Sequence, residues 1–195
     1  MKNSNVNKMV KIAMLSAVSA LLMYIDIPLW FAPPFYKIDL SEVAVLIGAF
    51  AMGPLAGVLI ELLKILLIMV IKGTQTYCVG ECANFVIGCA LVLPAALIYK
   101  NHKTQKCAIV GMISGTLIMT AVGCFVNAYV MLPAYSAAFE MPIDALIAMG
   151  TKVNENITSM TTFVFLAVVP FNLLKGLVVS LITFILYKRV RMILK

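Results

Sequence analysis

The chain has 195 residues, of which 63% are hydrophobic and 12% charged. Soluble domains run at about 45–50% apolar, so this composition excludes a soluble globular protein and points to one membrane-embedded domain covering residues 1–195. The net charge of +7 raises nucleic acid as a partner, but the spacing of the cations along the chain argues for membrane topology instead.

About 20 mainly apolar residues are needed to cross a bilayer as a helix. Six such stretches follow one another, at 9–30, 40–53, 55–72, 77–99, 107–132 and 159–187, the second of them short and ended by Gly53-Pro54. None alternates apolar and polar residues as barrel strands do. The expected class is therefore an all-α integral membrane protein, a six-transmembrane-helix bundle. Met1–Lys11 is basic, but the apolar run behind it continues to Trp30 without an A-x-A-like site, so it reads as the first span and not as a cleavable signal.

The first span carries Ala13-x-x-x-Ala17 and Ser16-x-x-x-Ala20. Small residues four apart let helix backbones approach closely, either inside the bundle or as a docking groove for another membrane protein. The loop from Phe31 to Leu40 holds Pro33-Pro34 and three aromatic residues, counting Tyr36. It reads either as an interfacial aromatic belt or as a lid over a pocket. In the third span Glu61 and Lys64 are three apart, so they lie on one face and can neutralise each other.

The fourth span opens on Glu81 and Asn84, again three apart, as an interfacial capping cluster or as polar lining. Asn127 stands near the external end of the fifth span. Its carboxamide offers both a donor and an acceptor, to a neighbouring helix or to a solute. The segment 133–158 is long and includes the amphipathic stretch Ile143–Met149, which fits a lid or an interfacial helix. The last span contains Asn172 and Lys175 on one face, just after Pro170. Pro170 lacks an N–H and should free the carbonyl of Leu166. An ammonium at mid-bilayer depth costs roughly 2.5–3.5 kcal/mol, so Lys175 needs a partner. That partner is either a polar solute or a carboxylate such as Glu61 or Glu81.

Lys2, Lys8 and Lys11 precede the first span, Lys100, Lys103 and Lys106 follow the fourth, and Lys188, Arg189, Arg191 and Lys195 follow the sixth. Six crossings put all of these on one side, free of acidic residues. The positive-inside rule then makes both termini cytoplasmic.

The five cysteines, Cys78, Cys82, Cys89, Cys107 and Cys124, and the single His102 show no metal-ligand spacing. A phosphate-binding G-x-x-x-x-G-K-[ST] loop, a G-x-S-x-G elbow and an H-E-x-x-H helix are also absent from the sequence. A membrane enzyme using Glu61 or Glu81 as a base would lack its companion groups. A channel would need a polar lining repeated by symmetry. A solute-binding protein fits better. An imide edge presents carbonyl, N–H and carbonyl; an asparagine pairs with its donor and acceptor together, and a lysine satisfies a carbonyl oxygen. Apolar side chains would cover the ring faces.

These residues carry a resemblance. The stretches Ile38-Asp-Leu-Ser-Glu42, Leu46–Lys64 with its Gly-Pro-Leu-Ala-Gly run, Gly80–Gly88, Asn127–Pro133 and Pro170-Phe-Asn-Leu-Leu-Lys-Gly176 resemble the membrane-embedded substrate-binding subunits (S components) of energy-coupling-factor vitamin transporters. Within that family the likeness is to the riboflavin-binding type. The resemblance implies a helix bundle that binds riboflavin as transported ligand, with no resident cofactor and no catalysis. It implies ring contacts from Asn127, Asn172 and Lys175, with Glu81, Asn84, Asp39 and Leu40 on the ribityl side. It also implies docking of Ala13, Ala17 and Ala20 on a membrane scaffold (T) subunit that works with two cytoplasmic ATPases, in a bacterial plasma membrane. Another vitamin, flavin mononucleotide, or a thiamine-like or nucleobase-like solute is the alternative ligand. The Cys78/Cys82 pair, and an alanine after Asn127 where an aromatic is common in relatives, depart from the family pattern.

Overall fold

The computed structural model describes residues 2–29, 33, 36–74 and 77–194, with the backbone alone at 2–4 and 188–194. The helices are α1 (Lys2–Tyr24), α2 (Ser41–Met52), α3 (Pro54–Lys72), α4 (Val79–Asn101), α5 (Gln105–Val126), α6 (Leu132–Ala138), α7 (Ile143–Thr151), α8 (Met160–Phe163) and α9 (Val169–Leu194). Two short strands, β1 (Ile27–Pro28) and β2 (Lys37–Ile38), pair antiparallel between α1 and α2.

Among the described residues, five helical stretches are long and apolar enough to cross a membrane: Asn5–Tyr24, Pro54–Lys72, Val79–Asn101, Gln105–Ala138 and Met160–Tyr187. The sixth expected span is α2, which has 12 residues. At 1.5 Å per residue it reaches about 18 Å, short of a hydrocarbon core of about 30 Å. Beyond Ser41 and Glu42 it is apolar on all sides, and Ser41 to Phe50 are all buried. Such a helix belongs inside a bundle, and α1, α3, α4 and α9 pack around it. Its start is set by Asp39, whose Oδ1 accepts from the Ser41 backbone N–H at 2.9 Å. Its end is set by Gly53, at φ +99°, and by Pro54 in the first turn of α3.

Two expected boundaries shift. The first span ends at Tyr24, not at Trp30, which lies outside the described residues. There Asp26 pairs with Lys72 at 3.0 Å and Lys37 at 3.4 Å, and the chain turns into the hairpin. The fifth span runs on past residue 132 to Ala138. Pro133 cannot donate to the carbonyl four residues back, and the helix absorbs this as a π-turn over Asn127–Met131, with the Leu132 N–H reaching the Asn127 carbonyl. The same device precedes Pro170: Val164–Val168 form a π-turn and the Val169 N–H reaches the Val164 carbonyl. The expected disturbance at Leu166 falls inside it. The lid or belt reading of Phe31, Ala32, Pro34 and Phe35 lies outside the described residues.

The apolar core has two main parts. One surrounds α2 and includes Ile12, Leu46, Phe50, Ile60, Leu91, Met112 and Val179. The other gathers Tyr36, Ile38, Leu132, Leu146, Ile157, Phe163, Val168 and Phe171 beneath the hairpin and α7. Along α9, Phe171 belongs to the second and Val179 to the first. Lys175 falls between them.

Candidate functional site

Asn127 and Asn172 are both buried, and each is wired in the same way. The Asn127 Nδ2 donates to the Gly123 carbonyl at 2.8 Å, and the Asn172 Nδ2 donates to the Val168 carbonyl at 2.9 Å. Each carboxamide thus ties its amino group to the turn behind it and leaves its Oδ1 to accept from elsewhere. The two meet across Gly123: a Cβ at that position would lie 2.9 Å from the Asn172 Nδ2. Only a residue without a side chain lets α5 approach α9 this closely.

The hairpin supplies partners to both helices. The Tyr36 hydroxyl donates to the Asn127 Oδ1 at 2.7 Å, and its ring lies 4.9 Å from that of Phe171. Burial pushes the Tyr36 hydroxyl well above its ordinary pKa, with the nearby Tyr135 and Cys124 adding to it, so it stays a donor. Three residues on, the Asp39 Oδ2 accepts from the Lys175 Nζ at 3.0 Å. The partner of Lys175 is therefore neither Glu61 nor Glu81. Burial alone would raise the pKa of Asp39. The Lys175 and Lys64 ammoniums, with the Ser41 hydrogen bonds, outweigh it and hold the carboxyl well below the usual carboxylate range. Leu40, half-buried, packs against the core around α2.

Behind Asp39 lies a second charged group. Its Oδ1 accepts from both the backbone N–H and the hydroxyl of Ser41. The Ser41 hydroxyl oxygen faces the Lys64 Nζ at 3.3 Å. Lys64 in turn sits 2.8 Å from Glu42 and 2.6 Å from Glu61, so the expected Glu61/Lys64 pair is formed and widened by Glu42.

Glu81 and Asn84 are placed apart from this. The Glu81 Oε2 accepts from the Thr74 hydroxyl at 3.0 Å, while the Thr74 Oγ1 accepts from the Cys78 N–H. Asn84 is exposed. This polar cluster sits at the start of α4, and no hydrogen bond links it to Asn127, Asn172 or Lys175 among the described residues. Beside it an apolar groove of about 290 Å³ is lined by Tyr77, Cys78, Cys82, Val126 and their neighbours, and includes none of the expected site residues.

The helix 1 stripe divides. Ala13 and Ala17 are exposed, alongside Met9, Met14, Val18 and Leu21. Ala20 is 2% exposed and faces inward with Ser16 and Ser19, so it belongs to internal packing and not to an outer docking face. The Ser19 hydroxyl donates to the Ser41 carbonyl.

Sequence reasoning missed Gly123, Phe171 and the hydroxyl of Tyr36. The first depends on how closely α5 approaches α9. The other two depend on where the hairpin folds.

The sequence matches the family model described as "ECF transporter, substrate-specific component" over residues 7–187. It is 36% identical over 188 residues to the riboflavin transporter RibU of Staphylococcus aureus (strain TCH60), covering 96% of this chain and 92% of that one. It is 31% identical over 187 residues to the riboflavin transporter FmnP of Bacillus subtilis (strain 168), covering 95% and 93%. The fold is similar to a solved structure described as "Structure and mechanism of the S component of a bacterial ECF transporter", with a TM-score of 0.75 at 32% identity over 100% of this chain and 99% of that one.

Proposed function

Because this chain belongs to the substrate-specific components of ECF transporters, we propose that it is a riboflavin-binding membrane subunit that captures the vitamin outside the cell and passes it to an ATP-driven partner. The observation that carries the reading is the pair of back-bonded carboxamides, Asn127 and Asn172, meeting at Gly123, with Lys175 one helical turn further along α9. In this reading the imide edge of the flavin meets the Asn127 and Asn172 carboxamides. Lys175 donates to a ring carbonyl while Asp39 keeps it charged. Tyr36 and Phe171 cover a ring face. Leu40 borders the ligand. Glu81 and Asn84 stand aside from the ring and would touch only the ribityl end.

In the same reading residues 1–195 act as one substrate-binding domain in the bacterial plasma membrane. Six crossings, the five long helical stretches and α2, leave both termini in the cytoplasm. Ala13 and Ala17 meet a membrane scaffold subunit, and two cytoplasmic ATPases supply the energy that this sequence, without a phosphate-binding loop, does not.

The test is the visible spectrum of the protein purified from cells grown with riboflavin. Yellow protein that releases flavin on denaturation supports the reading. Colourless protein that leaves riboflavin fluorescence unquenched overturns it. Competition by flavin mononucleotide or thiamine separates riboflavin from the alternative ligands. Uptake into vesicles should require the scaffold and both ATPases; uptake without the scaffold contradicts the division of labour.

A further inference from the structure

Three carboxylates and two ammoniums gather where α2, α3, α4 and α9 meet: Asp39, Glu42 and Glu61, all buried, against buried Lys64 and partly buried Lys175. Asp39 and Lys175 neutralise one another. What remains is Lys64 between two glutamates, and with every group ionised that triad carries one excess negative charge. Glu61 is 0% exposed, Lys64 1% and Glu42 3%. An uncompensated charge buried this deeply is very costly, and a titratable group in such a place neutralises itself instead.

Hydrogen bonding points the same way. One N–H of Lys64 goes to the Glu42 Oε1 at 2.8 Å and another faces the Ser41 oxygen. Its close contact with the Glu61 Oε1 is an ion pair without hydrogen-bond geometry. Among the described residues, the Glu42 Oε2 and both Glu61 oxygens receive no hydrogen bond. The two carboxyl groups converge on the α4 backbone: a Cβ at Gly88 would lie 2.7 Å from the Glu61 carboxyl carbon and 3.2 Å from the Glu42 Oε1. Among the described residues, the other groups facing the triad are Ser41 at the start of α2 and Asp39 just before it, Cys89 on α4, Lys175 on α9, and Ser19 of α1 through the Ser41 carbonyl. None of these can cancel the extra charge, because Lys175 is already matched by Asp39.

We infer that the Glu42–Lys64–Glu61 triad is a proton-binding site, holding one proton shared between the two glutamates. The proton comes from water as the chain folds. Bound to one carboxyl, it supplies the missing donor to the other and leaves the triad neutral. The inference concerns the protein's own charge and stands independently of which solute Lys175 serves.

The test is infrared spectroscopy of the full-length protein in lipid nanodiscs, in D₂O at neutral pH, with and without sodium ions. The native protein should show the carbonyl stretch of a protonated carboxylic acid. Glu42→Gln and Glu61→Gln should each abolish it, because either change leaves one carboxylate for one ammonium. Lys64→Met should double its intensity, since both glutamates then take a proton; if that variant does not fold, the two glutamine variants still decide. A native spectrum without the band overturns the inference, as does a band that survives in both glutamine variants. Loss in only one variant overturns the sharing. A band that appears only when sodium is removed assigns the neutralising role to a metal cation and overturns it too.

Discussion

Lys64 and Lys175 are written alike in the sequence and used differently in the structure. Each stands on a long apolar helix, three residues after a polar side chain. For Lys64 that side chain is Glu61, which meets it at 2.6 Å, and Glu42 completes its surroundings. For Lys175 it is Asn172, whose amino group is spent on the Val168 carbonyl. Lys175 must therefore find its counter-charge on another element, at Asp39 in the segment between the hairpin and α2. The exposure follows: the Lys64 side chain is 1% exposed, and that of Lys175 13%. A carboxylate on the lysine's own helix closes it into the core. A carboxamide there leaves it dependent on a charge supplied by another element.

The sharpest break in this comparison is Lys64→Met. Removing one member of a buried ion group typically costs about 3–5 kcal/mol, and the thermal unfolding midpoint in detergent should fall steeply. Lys175→Met should instead weaken riboflavin binding by about 1–3 kcal/mol, since in the proposed binding mode a ring carbonyl loses its donor; titration of flavin fluorescence reads this. Adding Asp39→Asn to Lys175→Met should restore stability without restoring affinity, and recovery of both would remove Lys175 from the binding site. Gly123→Ala places a methyl against Asn172 and should cost about 1–3 kcal/mol through overpacking, with affinity lost alongside stability. Tyr36→Phe removes one hydrogen bond to Asn127 and should shift affinity by about 1 kcal/mol.

The smallest expected effect is that of pH. The folded-state pKa of Asp39 is depressed, so its contribution to stability is fully present above the unfolded value of about 3.9. It is lost only as pH falls below that toward the folded value. Affinity and stability assigned to the Asp39–Lys175 pair should therefore be flat from about pH 5 to about pH 8. A transition near neutrality in the Lys175→Met difference would contradict the pairing.

The membrane class and five of the spans were legible because bilayer thickness imposes a length on apolar runs. α2 was legible as a segment but not as a short helix enclosed by its neighbours, since that depends on what surrounds it. Asn127, Asn172 and Lys175 stood out because polar groups are costly among apolar ones. Asp39 pairs with Lys175 in the structure, and sequence spacing gives no sign of a contact between positions 39 and 175. Glu81 and Asn84 share the spacing of Asn172 and Lys175, yet Glu81 accepts from the Thr74 hydroxyl and Asn84 is exposed. Spacing fixes the shared face and leaves open which way that face turns. Ala20 shows the same limit on α1.

Each of the two π-turns accommodates one residue more than an ordinary helix would. A helix advances about 100° per residue, so excising a single residue from 164–168 would restore a regular spiral and swing Asn172 and Lys175 together about a quarter turn around α9. The polar face would then point at a neighbour chosen by geometry alone, although every other amino acid stayed in place. Length at these two bends, as much as side-chain identity, sets where this molecule's polar groups are aimed.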